Sequence, residues 1–276
     1  MDLIGYDFNY PLDKALQHSS LIQQFQHNNE SVQQYFEIHA LEALNIAIFE
    51  NDFKLSSAAR ALFTGINSVM TIVILQFSYL PKVSEQVLME GSASSLYVSR
   101  FAIIAENCLF VCQETESEQF TFLRSFLIFA ANVNIQSLFL SIFPKTSEIY
   151  DPIVQVLAKT EFPNQVYKLI IENLSSNDFD FLFGLFQIAN SFLDRDIEAL
   201  QKPFIESIED PSVFLFVPEK WPTYLESSYS EFLIHICIDT TVASFYEFIR
   251  FLIQHLVEKL SEMQPFLGDA INHLTL

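Results

Sequence analysis

The chain has 276 residues, half of them hydrophobic, with 29 Phe, ten Pro and five Gly, and it sets 34 acidic against 14 basic side chains for a formal net charge of −20. So few glycines exclude a fold built on tight hairpin turns. So few cations exclude the basic patch that nucleic acid or an anionic membrane surface requires, and leave a basic protein partner or the solubility of a Phe-rich chain as the role of the acidity.

The N-terminal stretch MDLIGYDFNYPLDKAL carries acids where a secretion signal needs bases, and lacks its apolar run. The first helix is predicted over about Asp13–His27, with Leu16, Leu21, Ile22 and Phe25 apolar. The next covers Glu30–Glu50, where Phe36, Leu41, Leu44, Ile48 and Phe49 recur at three- and four-residue steps. Ser56 or Ser57 is the predicted cap of a helix running toward Leu80. Its last part, Met70–Leu80, reads as a buried helix ended by Pro81. Lys82–Met89 and Ser94–Val111 follow.

Glu118–Phe143 contains the most apolar long stretch, Phe122–Pro144, with Arg124 as its one charge. It has the length of a membrane span. Asn132, Asn134 and Gln136 near its centre, and the absence of a flanking basic cluster, argue for a buried helix instead. As one helix, it aligns Thr121, Ser125, Asn132 and Gln136 on a thin polar stripe. The alternative is a break at Asn132-Val133-Asn134 into two shorter helices. Pro152–Lys159, Pro163–Leu174, Phe179–Leu193, Ile197–Ile208, Glu231–Asp239, Val242–Met263 and a short final piece complete the predicted helices. Asp151-Pro152 and Asp210-Pro211 have the chemistry of helix starts, and Thr115…Glu118 and Ser228…Glu231 the spacing of capping boxes. Asp210–Thr223, with three prolines, is the least helical stretch and reads as an ordered insert.

Similar apolar units recur at LEALNIAIF, FLRSFLIFA and FLFGLFQIANSFL. The predicted fold is all-α: one domain, 1–276, as an α-solenoid of irregular HEAT/armadillo-like helical repeats, with a compact helical bundle as the alternative.

Chemistry is sparse. No phosphate-binding glycine loop and no H-E-x-x-H occurs. Cys108 and Cys112 are four apart and share a helix face. Two cysteines so placed offer half a zinc site, with His235 and Cys237 as candidate neighbours in space, or they are small buried hydrophobes. Three cysteines without C-x-x-C spacing suit a reducing compartment, cytoplasmic or nuclear. Glu114, Glu116 and Glu118, and Glu206, Glu209 and Asp210, read as solvated loop charges. No catalytic residue, metal or cofactor is expected. Phe214, Phe216 and Trp221, in FLFVPEKWP, are the candidate partner-binding residues, either as an exposed recognition loop or packed on the helices.

Three stretches resemble the armadillo-like domain of the SMEK family, regulatory subunit 3 of protein phosphatase 4. They are IIENLSSNDFDFLFGLFQIANSFLDRD (Ile170–Asp196), SEFLIHICID (Ser230–Asp239) and, more loosely, SEQFTFLRSFLIFA (Ser117–Ala130), in the family's order. They cover about a fifth of the chain. The strand-rich pleckstrin-like domain usual in the family has no counterpart here. The resemblance implies a non-catalytic subunit that binds a phosphatase catalytic chain and directs it to substrates, and no site residue carries over. The reading is therefore a protein-interaction scaffold whose partner is a protein, with no role for nucleic acid or membrane. The alternatives are an all-α enzyme with converging histidines and carboxylates, or a membrane-associated helical protein.

Overall fold

The computed structural model describes residues 10–64, 68–91, 94–143, 151–194, 197–208, 213–214, 221–238 and 250. The elements there are helical, with no strand among the described residues. No described helix is long and apolar enough to cross a membrane.

The predicted helix over Asp13–His27 is two helices, α1 (Leu12–Leu16) and α2 (Ser19–Gln26), because His18 takes an extended backbone between them. Glu30–Glu50 likewise divides at His39 into α3 (Glu30–Ile38) and α4 (Ala40–Phe49). The cap of the next helix, α5 (Phe53–Ala61), is Asp52, whose carboxylate accepts from the Lys54 and Leu55 amides. Ser56, the expected cap, is instead buried inside α5. Ser68 caps α6 (Val69–Gln76). Ser78, at φ 53°, reverses the chain into α7 (Tyr79–Glu90). Pro81 therefore sits in the first turn of α7 and does not end its predecessor; a first-turn proline loses no helical hydrogen bond. α8 (Ser95–Leu109) lies close to the predicted Ser94–Val111.

The long apolar stretch is not one helix. A 3₁₀ segment, η1 (Glu114–Phe122), leads through α9 (Leu123–Phe126) and η2 (Leu127–Phe129) to α10 (Val133–Ile142). The break falls at Asn132, whose side chain accepts from the Asn134 amide and so caps α10. The cap expected at Thr115…Glu118 lies two residues earlier, where Glu116 accepts from the Gln113 amide. α11 (Asp151–Lys159), α12 (Phe162–Asn173), α13 (Phe179–Leu193, capped by Asp178) and α14 (Glu198–Glu206) match their predicted positions within a few residues. α15 (Thr223–Ile238) starts eight residues before the predicted Glu231, so Ser228 and Glu231 lie inside it and form no capping box. Val242–Met263 and the final piece fall outside the described residues, apart from Arg250.

Contacts order these helices into two series. α4, α8, α10, α13 and α15 touch one another in that sequence. A second series runs α3, α6, η1, α11 and α14, with α7 between α6 and η1 and α12 beside α11 and α14. The two pack together through α4–α6, α6–α8, α7–α8 and α12–α13, and the apolar side chains between them form one continuous buried cluster. Aromatic rings fill much of it. Phe101, Phe122 and Phe126 meet at centroid distances of 5.1–5.2 Å, and Phe162 lies 5.4 Å from Phe139.

Burial raises the pKa of four acids in this cluster. It pushes the Tyr35 hydroxyl and the Cys112 thiol up to about 12 each, and raises Cys108 and Tyr229 as well. Unfolded thiols and phenols ionise near ~8.5 and ~10. Above those values the unfolded chain has released protons that the folded chain still holds, so stability falls as pH rises. The midpoint of urea unfolding is expected to drop between about pH 8.5 and 12. An unchanged midpoint at pH 10 would contradict the burial of these groups.

Candidate functional site

Phe214 and Trp221 are in the core. Phe214 packs on Phe232, with centroids 5.4 Å apart, and on Tyr167. Trp221 packs on Tyr229 at 5.1 Å and on Phe186. The Tyr229 hydroxyl donates to the Phe214 carbonyl oxygen. Phe214 is buried against α12 and α15 and Trp221 against α13 and α15, which is the packing reading for these two residues and corrects the exposed one for them. Phe216 lies outside the described residues.

Among the described residues no two histidines gather around a carboxylate. His18 bonds to Tyr10, His27 to the Gln23 carbonyl and His39 to Glu42, each within its own stretch of chain. No group of three or more His, Cys, Asp or Glu with metal-binding geometry occurs among the described residues. Cys108 is fully buried and Cys112 half-buried, its thiol donating to the Gln113 carbonyl. The side chain of Cys237 falls outside the described residues. A groove of about 810 Å³ runs between α1–α2 and α5, lined by Leu16, Ile22, Phe53, Leu55 and neighbours. Its one carboxylate, Asp52, is committed to capping α5.

The first helix series presents a different surface. On α8 the side chains left outside the core recur at Leu96, Ser99, Ile103, Glu106 and Phe110, three or four apart on one face. On α10 they are Val133, Gln136, Ser137 and Leu140; on α13, Asp180, Phe183 and Gln187; on α15, Tyr224, Glu231 and Ile234. Val133 is 69% exposed and Ile234 57%.

Hydrogen bonds stitch these stripes into one surface. Phe49 of α4 meets Tyr97 of α8 at 5.4 Å, and the Tyr97 hydroxyl donates to Asn51. Asn132 donates to Ser99 at 2.8 Å. Ser137 and Ser141 both donate to the Glu106 carboxylate. Tyr224 donates to Asp180 at 3.0 Å, Gln187 to the Ser228 hydroxyl, and Asn190 to the Ser228 carbonyl and the Glu231 carboxylate. The backbone of α13 approaches the end of η2, just before α10, so closely that a methyl on Gly184 would lie 1.9 Å from the Ala130 carbonyl oxygen.

The charge on this surface has one sign. α4, α8, α10, α13 and α15 contain no lysine, and their one arginine, Arg100, is only 3% exposed. Its guanidinium donates to the Ile48 and Glu50 carbonyls at the end of α4 and to Ser56. Burial, and then neighbouring Arg60, lower its pKa. The same helices carry Glu42, Glu106, Asp180, Glu226 and Glu231. Among the described residues none of these pairs with Lys or Arg, whereas Lys159–Glu118, Lys168–Glu172 and Arg124–Glu161 pair in or beside the second series.

No family model, curated protein or solved structure matches the chain. The stretches that resemble the SMEK family fall on α12–α13, on the interior of α15, and on η1–α9–η2. Ser230, read as a helix start, is in mid-helix.

Proposed function

We propose that the chain is a non-catalytic scaffold that binds a protein partner through the surface of α4, α8, α10, α13 and α15. The observation that carries this reading is that α8, α10, α13 and α15, neighbours in one series that starts at α4, combine exposed apolar side chains with carboxylates that pair with no Lys or Arg among the described residues. Isolated exposed apolar residues are ordinary on any protein, but a contiguous rank of them rimmed by polar groups marks an interaction surface. The serial order of contacts in both helix series supports an α-solenoid of irregular HEAT/armadillo-like repeats, in which each helix meets only its neighbours and the exposed face is extended. The sharper form of the proposal is a regulatory subunit that holds a protein serine/threonine phosphatase catalytic chain and directs it to substrates. It is supported by the three SMEK-like stretches alone.

Affinity purification of the tagged full chain tests both forms. The wild type is expected to retain a stoichiometric protein partner that Leu96→Asp/Leu140→Asp loses while keeping the wild-type circular dichroism. A partner retained equally by both proteins refutes the scaffold face. A partner set without a phosphatase catalytic chain removes the sharper form and leaves the broader one.

A further inference from the structure

Resting on that reading, we infer that the occupant of the face is a cationic amphipathic segment of another protein, with Lys or Arg along one side and apolar residues along the other. Two independent features of the surface ask for this chemistry. The first is the complete absence of an exposed Lys or Arg from the five helices that build it, in contrast to the second series and its flanks, where Lys82, Lys159, Lys168 and Lys202 lie on α7, α11, α12 and α14. Mixed charge is the usual way to keep a helical surface soluble, so a face of one sign with apolar residues between the charges is complementary to the opposite sign and disfavours acidic competitors.

The second is in the crossing of α13 and α15. Asn190 is 5% exposed and gives its amide N–H groups to the Ser228 carbonyl and the Glu231 carboxylate, while its Oδ1 is buried without a donor. That oxygen is closed to solvent, so what the crossing offers an incoming cation is the exposed Glu231 carboxylate, held in place by the Asn190 amide.

The carboxylates are already held. Glu106 accepts from Ser137 and Ser141, Asp180 from Tyr224 and Glu231 from Asn190. These bonds fix three acceptors on successive parts of the face, so little side-chain entropy is lost when a cation arrives. Screening by salt acts over about 8 Å at physiological ionic strength, so attraction between exposed groups weakens as salt is added.

The test uses the full chain and a synthetic 20-residue helix-forming peptide with Leu on one face and Lys on the other. Controls are its Lys→Glu counterpart and a Lys peptide without the apolar face. The amphipathic cationic peptide is expected to bind at least about tenfold more tightly than either control, with affinity falling as salt rises. Glu106→Gln/Asp180→Asn/Glu231→Gln is expected to weaken it about tenfold or more. Glu85→Gln/Glu198→Gln/Glu206→Gln, the same charge change on α7 and α14, is expected to leave it within about twofold. If the first triple variant does not fold, Glu42→Gln/Glu226→Gln, whose carboxylates bond no neighbouring helix, takes its place with the same expected direction. Equal losses from face and control triples, or no preference for the amphipathic cationic peptide, overturn the inference. If that happens while Leu96→Asp/Leu140→Asp still loses a cellular partner, the scaffold reading stands and only the partner's chemistry is wrong.

Discussion

Gly184→Ala is expected to destabilise the protein by about 1–3 kcal/mol, the range for forcing an extra methyl into a packed core. The sign is the informative part. Within an ordinary helix, replacing glycine with alanine gains about 1 kcal/mol, since glycine alone loses so much backbone freedom on folding. Here the new methyl would lie 1.9 Å from the Ala130 carbonyl oxygen, 2.7 Å from its carbonyl carbon and 2.9 Å from Gln136 Nε2. Two of those three atoms are backbone, so no rotamer change relieves the contact. α13 must move off α10, and the bond from Gln136 to the Ala130 carbonyl goes with it. A lower urea midpoint is the expected result. A higher one would show that α10 and α13 do not meet at Gly184, and the face between them would have to be redrawn.

Arg100→Ala is expected to cost about 3 kcal/mol. The guanidinium bridges the end of α4, the interior of α5 and α8, through the Ile48 and Glu50 carbonyls and Ser56. Removing it leaves buried acceptors unsatisfied at about 1–3 kcal/mol each and opens a cavity where its stem packed. Losing the desolvation cost of a buried cation offsets part of this. Arg100→Lys keeps the charge but cannot serve three acceptors in the planar fork of the guanidinium, and is expected to recover about half of the loss. Unfolding of the two variants beside wild type decides the matter. If Arg100→Ala is as stable as wild type, the α4–α8 junction does not depend on this side chain.

Several element boundaries were readable from residues alone because a specific side chain makes them. Asn132 is both a break in the apolar stretch and the cap of α10, and Asp178 caps α13. The breaks at His18, His39 and Ser78 carry no glycine or proline. Local propensity is too weak there to outvote the packing that bends the chain. Ser228 and Glu231 show the opposite failure. Residues three apart suit a capping box, but they also share one helix face, and here that face bonds to Gln187 and Asn190 of α13. Pro81 misleads for a similar reason, since proline ends one helix or opens the next equally well.

The site was harder to read than the fold. Phe214 and Trp221 stand out in a proline-rich stretch, yet aromatic rings near a helical core gain more by joining it, and Tyr229, Phe186 and Phe232 receive them. The missing cations of α4, α8, α10, α13 and α15 are plain in the sequence once those helices are known to be neighbours. Nothing in the order of residues says that they are, because α8, α10 and α13 are separated by other helices along the chain.

In the proposed function the chain meets its partner on that one face. Photo-crosslinking from a single position reads this contact, with the crosslinking residue placed at Leu140 on α10 or at Met89 on α7, which is 79% exposed and belongs to the other series. Capture of one stoichiometric protein partner from Leu140 and not from Met89 is the predicted result. Capture from Met89 alone, or no capture from either position, would contradict it.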